Sequence, residues 1–277
     1  MYNDIFEAAK DGSVDDVRFF IEQGVDVNTK NDFDWTPLHY TVGFNSNLDV
    51  VKYLVENGAD IYSTSDRVDT PLHFLKSKNL DVIRYLLAQG MDINIKSKRG
   101  ITPLHSYLED NPDTDVSVVK FLLEAGADIN AIGYSELTPL AFAVIFGSGA
   151  EVLQLLVEAG ANVHAKANGS SMLHFAATNT SNLDVLKFLI VQGIDINVKD
   201  KLGLTPLHYC LEYNVNLDVL KFLIAQGADV NAKDKKGKNP IKYFNPDEEW
   251  LLESGIKDID TFKEEVRAIL RNAGGKI

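Results

Sequence analysis

The chain has 277 residues, a formal net charge of −13 at neutral pH and 45% hydrophobic residues. That hydrophobic fraction excludes a disordered chain, and the acidity argues against a purely electrostatic nucleic-acid binder. One cysteine excludes an internal disulfide and fits a reducing compartment, while the lack of a long apolar run excludes a bilayer-spanning helix.

The N-terminal segment Met1-Tyr2-Asn3-Asp4-Ile5-Phe6-Glu7 is acidic and shows no signal-peptide core. Asp4 to Ala9 reads as a first helix and Val14 to Ile21 as a second, closed by Gly24-Val25-Asp26-Val27-Asn28. Thr36-Pro37-Leu38-His39 then opens a motif that returns at Thr70, Thr102, Thr138, Ser171 and Thr205, with a degraded copy at Asn239-Pro240-Ile241-Lys242. Successive starts lie 34, 32, 36, 33, 34 and 34 residues apart. Threonine before proline predicts an N-cap followed by proline at the first helical position, where a missing N–H costs nothing. A second helix is predicted from Asn47, with apolar residues Leu48, Val51, Leu54 and Val55 on one stripe. It recurs from Asn79, Asn182 and Asn216, each time 23 residues before the next start motif. Asp49 with Lys52, Asp81 with Arg84, Asp184 with Lys187 and Asp218 with Lys221 are expected i, i+3 pairs. Gly58, Gly90, Gly126, Gly160, Gly193 and Gly227 supply left-handed helix stops.

Length varies in the connection between the two helices, an exposed place that tolerates insertion. The largest insertion lies around residues 109–114. Near the C-terminus, Asn239 to Phe244 begins a helix that Pro246 interrupts. Asn245, Pro246 and Glu248 read as a fresh helix start that Gly255 ends, and Val266 to Leu270 restores the second-helix pattern. The expected organisation is a single repeat domain over 1–277. Residues 1–28 form an N-terminal capping repeat, 29–238 hold six full repeats, and 239–277 form a divergent C-terminal capping repeat with an inserted short helix.

The period, the Thr-Pro-Leu-His start and the Gly-Ala-Asp-Val-Asn ending together resemble the ankyrin repeat over nearly the whole chain. The resemblance implies an all-α repeat solenoid in which helix-turn-helix units and hairpin loops stack into a curved array. It also implies a non-enzymatic protein–protein interaction module, an adaptor or host-directed effector that binds a protein partner through its concave face and hairpin tips. The alternative is a targeting subunit of an enzyme complex, with catalysis supplied by a partner. In style the array is similar to ankyrin proteins of intracellular bacteria. The expected location is thus the cytoplasm, or a host cell reached by a route that needs no signal peptide. A monomer is expected, without cofactor, nucleic acid or membrane insertion.

Five of the six histidines (His39, His73, His105, His174 and His208) occupy the start motif, a whole repeat apart, so they cannot converge on one ion. The resemblance implies that they hydrogen-bond within and between hairpin loops. His164 replaces the asparagine of its hairpin, where a surface role is expected. Cys210 follows His208-Tyr209 in the small-residue slot that Ala143 and Ala176 fill elsewhere; a buried small hydrophobe competes there with a Cys/His nucleophile. No Gly-rich phosphate loop, CxxC pair or HExxH helix is present.

The resemblance assigns hairpin tips to 29–35, 63–69, 95–101, 131–137, 165–170, 198–204 and 232–238. These tips hold twelve Lys or Arg against seven Asp or Glu in an otherwise acidic chain. The basic candidates for partner binding are Arg67, Lys98, Arg99, Lys235 and Lys236, read either as a recognition edge or as turn residues that aid solubility. The aromatic candidates in or beside the tips are Phe33, Trp35, Tyr62 in a hairpin asparagine slot, and Tyr134. Phe44, Phe146 and Tyr213 take in-phase positions on the exposed side of first helices. Exposed aromatic residues are typical binding anchors. For Trp35, folding back onto a neighbouring hairpin competes with that role, and for Phe146 core filling does. Tip residues are expected to lie outside the stacked core.

Overall fold

The computed structural model describes residues 2–45, 47–75, 80–110, 114–179, 183–214, 216–244, 256 and 258–276. The chain is an all-α repeat solenoid and divides into two compact units, 1–134 and 135–277. In the N-terminal unit, the paired helices are Ile5–Asp11 with Val14–Glu22, Pro37–Tyr40 with Leu48–Glu56, Pro71–Phe74 with Leu80–Ala88, and Pro103–Asp110 with Val116–Glu124. In the C-terminal unit they are Pro139–Ile145 with Ala150–Glu158, Met172–Asn179 with Leu183–Val191, Pro206–Tyr209 with Leu217–Ala225, and Pro240–Tyr243 with Ile259–Asn272. Sheet is confined, among the described residues, to a two-residue ladder pairing Lys166 with Ser171 and Ala167 with Ser170.

The start motif explains the stacking. Thr36 donates its backbone N–H to His39 Nδ1 at 3.0 Å, so that nitrogen is unprotonated and Nε2 carries the hydrogen. Nε2 then donates to the Asp69 carbonyl, 3.1 Å away in the next hairpin. His73 reaches the Ile101 carbonyl, His174 that of Leu204 and His208 that of Lys238 in the same way. The motif leucines Leu38, Leu72, Leu104, Leu140, Leu173 and Leu207 are fully buried. Neighbouring hairpins are also joined by asparagine. The Asn28 amide donates to the Gly58 carbonyl and its Oδ1 accepts the Asp60 N–H; Asn94 and Asn197 repeat the pattern.

The structure departs from the sequence-based expectation in local ways. The first helix of the 70–101 repeat is one 3-10 turn, Pro71–Phe74, in keeping with the shortest start-to-start spacing. After Tyr40 the helix widens into a π turn, Thr41–Asn45. There Asn45 Nδ2 donates to the Ala9 and Gly12 carbonyls, tying this repeat to the preceding one. Of the expected i, i+3 pairs, Lys187 meets Asp184 at 2.8 Å. Lys221 instead reaches Glu265, and Arg84 lies over the Phe121 ring. Such exposed pairs contribute about 0–1 kcal/mol, so packing decides these conformations. The expected inserted helix at 245–255 lies outside the described residues, as do 111–113 of the long connection. The restored second helix is present as Ile259–Asn272, burying Phe262, Val266 and Leu270.

Candidate partner-binding cleft

The first tip is shaped by Asn31, whose Oδ1 accepts the N–H groups of Phe33 and Trp35. Asp34 adopts φ 58°, which turns the chain and leaves Phe33 61% exposed. Trp35 folds inward. Its ring lies 4.5 Å from that of Phe74 and 5.5 Å from that of Tyr40, both edge to face, and stacks at 6.5 Å on Phe44. Trp35 therefore belongs to the packed wall between hairpins, contrary to the expectation that tip residues lie outside the core.

The next tip is held by the Ser65 hydroxyl, which accepts from the Arg67 and Asp69 N–H groups. Tips are zipped along their backbones: Asp66 N–H donates to the Phe33 carbonyl, and Lys98 N–H to the Arg67 carbonyl. Val68 sits at φ 62°, a left-handed conformation in which a β-branched side chain is strained. Val68→Asn is expected to raise stability by about 1 kcal/mol, measured by urea unfolding; an unchanged or lower midpoint would show that the tip has no strain to release. In the third tip Arg99 lies 3.9 Å above the Tyr134 ring and 3.9 Å from Glu109.

These elements enclose a cleft of about 520 Å³. Phe33, Trp35, Tyr40 and Phe74 supply an aromatic side, and Arg67 and Arg99 line it together with Asp69, Glu109 and Ser106. The cleft gathers four of the sequence candidates: Phe33, Trp35, Arg67 and Arg99. Phe44 backs the wall through Trp35, Tyr134 supports Arg99, and Lys98 adjoins Arg67 along the tips. Tyr62, 47% exposed, lies outside the cleft. Its hydroxyl donates to the Gly90 carbonyl at 2.5 Å, in place of the amide that Asn28, Asn94 and Asn197 supply in their hairpins.

In the C-terminal unit, Phe146 packs on Phe142 at 5.5 Å and is half-buried, while Tyr213 is 60% exposed beside Tyr209. Lys235 and Lys236 present exposed side chains on a tip pinned by Asp234 and by the Leu202 carbonyl. Cys210 is wholly buried and its thiol is pushed up to about 12 by burial, so it offers no thiolate at neutral pH. The His208 ring nitrogens are engaged by Thr205 and Lys238. Among the described residues, no three His, Cys, Asp or Glu side chains group as a metal site, and no helix is long and apolar enough to cross a membrane.

Sequence reasoning passed over Asp69, Phe74, Ser106 and Glu109. Burial holds the Asp69 carboxyl above the usual carboxylate range, against the opposing influence of His73, Ser97, Arg67 and Arg99. Burial raises Glu109 too, opposed by Arg99. The signal for two of them lay in the register. The residue before the motif threonine is Trp35, Ile101, Leu137 or Leu204 elsewhere, and aspartate at 69. The residue after the motif histidine is aromatic at 40, 74, 175 and 209, and serine at 106.

A family model described as Ankyrin repeats (3 copies) matches residues 5–97, 75–167 and 140–234. No curated protein matches the chain.

Proposed function

The chain belongs to the ankyrin-repeat family, whose repeats generally mediate protein–protein interaction, and from that premise we propose that it is a non-enzymatic adaptor or effector that grips a protein partner at the 31–110 cleft. The observation that carries this reading is the cleft itself. It combines an exposed aromatic anchor, Phe33, with a fixed aromatic wall and two guanidinium groups. Rigid aromatic anchors and arginine dominate interface energetics, because they bury large area at small entropic cost. Charged residues at the rim, such as Lys98, chiefly tune the rate of encounter.

The test places a photo-crosslinking phenylalanine analogue at Phe33, and in a second variant at Lys52 on the second helix. Covalent capture of one discrete protein from Phe33 alone is the expected result. Phe33→Ala should then weaken binding of that protein by about 1–3 kcal/mol, with helical content unchanged, since Phe33 lies outside the packed wall. Capture from Lys52 and not from Phe33 would move the interface to the second-helix side and overturn the reading.

A further inference from the structure

The cleft exists because two positions break the repeat. At three other junctions the ring one place after the start motif packs edge-on against the motif histidine of the preceding repeat. Phe74 meets His39 at 5.2 Å, Tyr209 meets His174 at 4.8 Å, and Tyr243 meets His208 at 5.3 Å. Position 106 carries serine, so His73 borders the cleft where His39, His174 and His208 meet a ring. The second break is Asp69, a carboxylate in a slot that holds buried Ile101, Leu137 and Leu204 in other repeats. Asp69 Oδ1 and the neighbouring Ser97 Oγ are both buried without a well-formed hydrogen bond, although Ser97 lies close enough to lower the Asp69 carboxyl. Buried polar atoms whose bonding is incomplete, beside one ring-sized space, call for a common explanation.

We propose that the space at Ser106 is a socket for one tyrosine side chain of the partner protein. This deepens the reading above and rests on it. The incoming ring takes the place that an aromatic residue fills in other repeats, edge-on to His73 and beside Phe74. Its hydroxyl donates to Asp69 Oδ1 and accepts from Ser97 Oγ, which satisfies both atoms. The chain holds its own template for that pairing. Tyr209 donates its hydroxyl to Asp200 Oδ2 at 3.1 Å, and Tyr243 donates to Asp234 Oδ2 at 2.5 Å. Phenylalanine would fill the space but leave both polar atoms unpaired. Arginine would meet the carboxylate in a cleft whose Asp66, Asp69, Glu109 and Asp110 outnumber Arg67 and Arg99, but it would not supply the edge-on ring that Phe74, Tyr209 and Tyr243 place on other motif histidines. Tyrosine meets the shape and the polarity together.

The experiment titrates the full chain with N-acetyl-tyrosinamide, N-acetyl-phenylalaninamide and N-acetyl-argininamide at millimolar concentration, following backbone amide shifts by NMR. The tyrosine probe is expected to shift Asp69, Phe74 and Ser106, and to bind roughly tenfold more tightly than the phenylalanine probe, the worth of a satisfied buried hydrogen bond. Asp69→Leu, which places there the residue that other repeats carry at 137 and 204, removes the acceptor and should abolish that preference while leaving phenylalaninamide binding in place. Ser106→Phe should fill the socket from within, so that both aromatic probes lose their shifts; Asp69→Leu remains decisive if that variant folds poorly. Equal binding of tyrosine and phenylalanine, preference for arginine, or no shift at these residues overturns the proposal. Such a result with Phe33 crosslinking intact removes the socket and leaves the adaptor reading standing. Loss of crosslinking alone removes the adaptor reading.

Discussion

Truncating Leu104 to alanine is expected to lower the unfolding free energy by about 2–5 kcal/mol. Leu104 is fully buried in the first helix of its repeat, as Leu72 and Leu38 are in theirs. A single repeat cannot bury its apolar stripe alone, so these leucines serve the stack and not only their own helix pair. Removing the methyl groups subtracts transfer free energy and leaves a cavity, and the hydrogen bonds at either side limit how far the helices can close over it. Thr102 and His105 hold one end of that helix through Nδ1, with distances of 3.2 and 2.9 Å to the threonine nitrogen and hydroxyl. Leu202 provides the contrast. It is a tip leucine, 61% exposed, and Leu202→Ala should change stability by less than about 0.5 kcal/mol. Urea unfolding followed by circular dichroism measures both. Equal effects of the two truncations would mean that the motif leucines do not form the core.

Acidification is expected to unfold the protein through its motif histidines. Burial is the first cause that lowers His39, from an ordinary 6.5 to about 4, and it lowers His73, His174 and His208 in the same direction. A lowered histidine means that the unfolded chain takes up the proton first. Its contribution is therefore intact above pH 6.5 and lost progressively as pH falls toward about 4. For His39 alone the loss amounts to about 3 kcal/mol across that window. The mechanism is specific. Protonation would force a hydrogen onto Nδ1, which accepts the Thr36 N–H. Asp69 opposes the trend in part, because its raised carboxyl favours the folded state as it takes up a proton. The check is a series of urea midpoints from pH 7 to pH 4.5 for the parent chain and His39→Gln. The variant starts less stable and should show a shallower slope; parallel slopes would exclude His39 as a titrating element of stability.

Much of the architecture was legible in the sequence. The start-to-start spacing placed the repeats, and the threonine-proline pairs placed the first helices. The buried leucines followed from position in the motif, and the histidine bonds between hairpins from the ankyrin resemblance. These features are local or strictly periodic, and each repeat states the same instruction again. The binding surface was legible only as a set of candidates. Phe33 and Trp35 are two residues apart, yet one is thrust into solvent and the other packs into the wall. The positive φ of Asp34 and the Phe74 ring, 39 residues further along, decide that difference. Tyr62, an anchor candidate by its place in the sequence, also ties two hairpins, because the Gly90 carbonyl lies where its hydroxyl ends.

By itself, then, the sequence determined the repeat, its helices, its core and the chemistry available along the tips. Only the tertiary structure decided which of those side chains meet. Ser106 and Asp69 were visible as irregular letters in a regular text. That one opens a ring-sized space, and that the other leaves an unpaired carboxyl oxygen beside it, depends on His73, Phe74 and Ser97 from adjoining helices and hairpins. Empty volume and unsatisfied hydrogen bonds are properties of neighbours brought together by stacking. No single stretch of chain contains them.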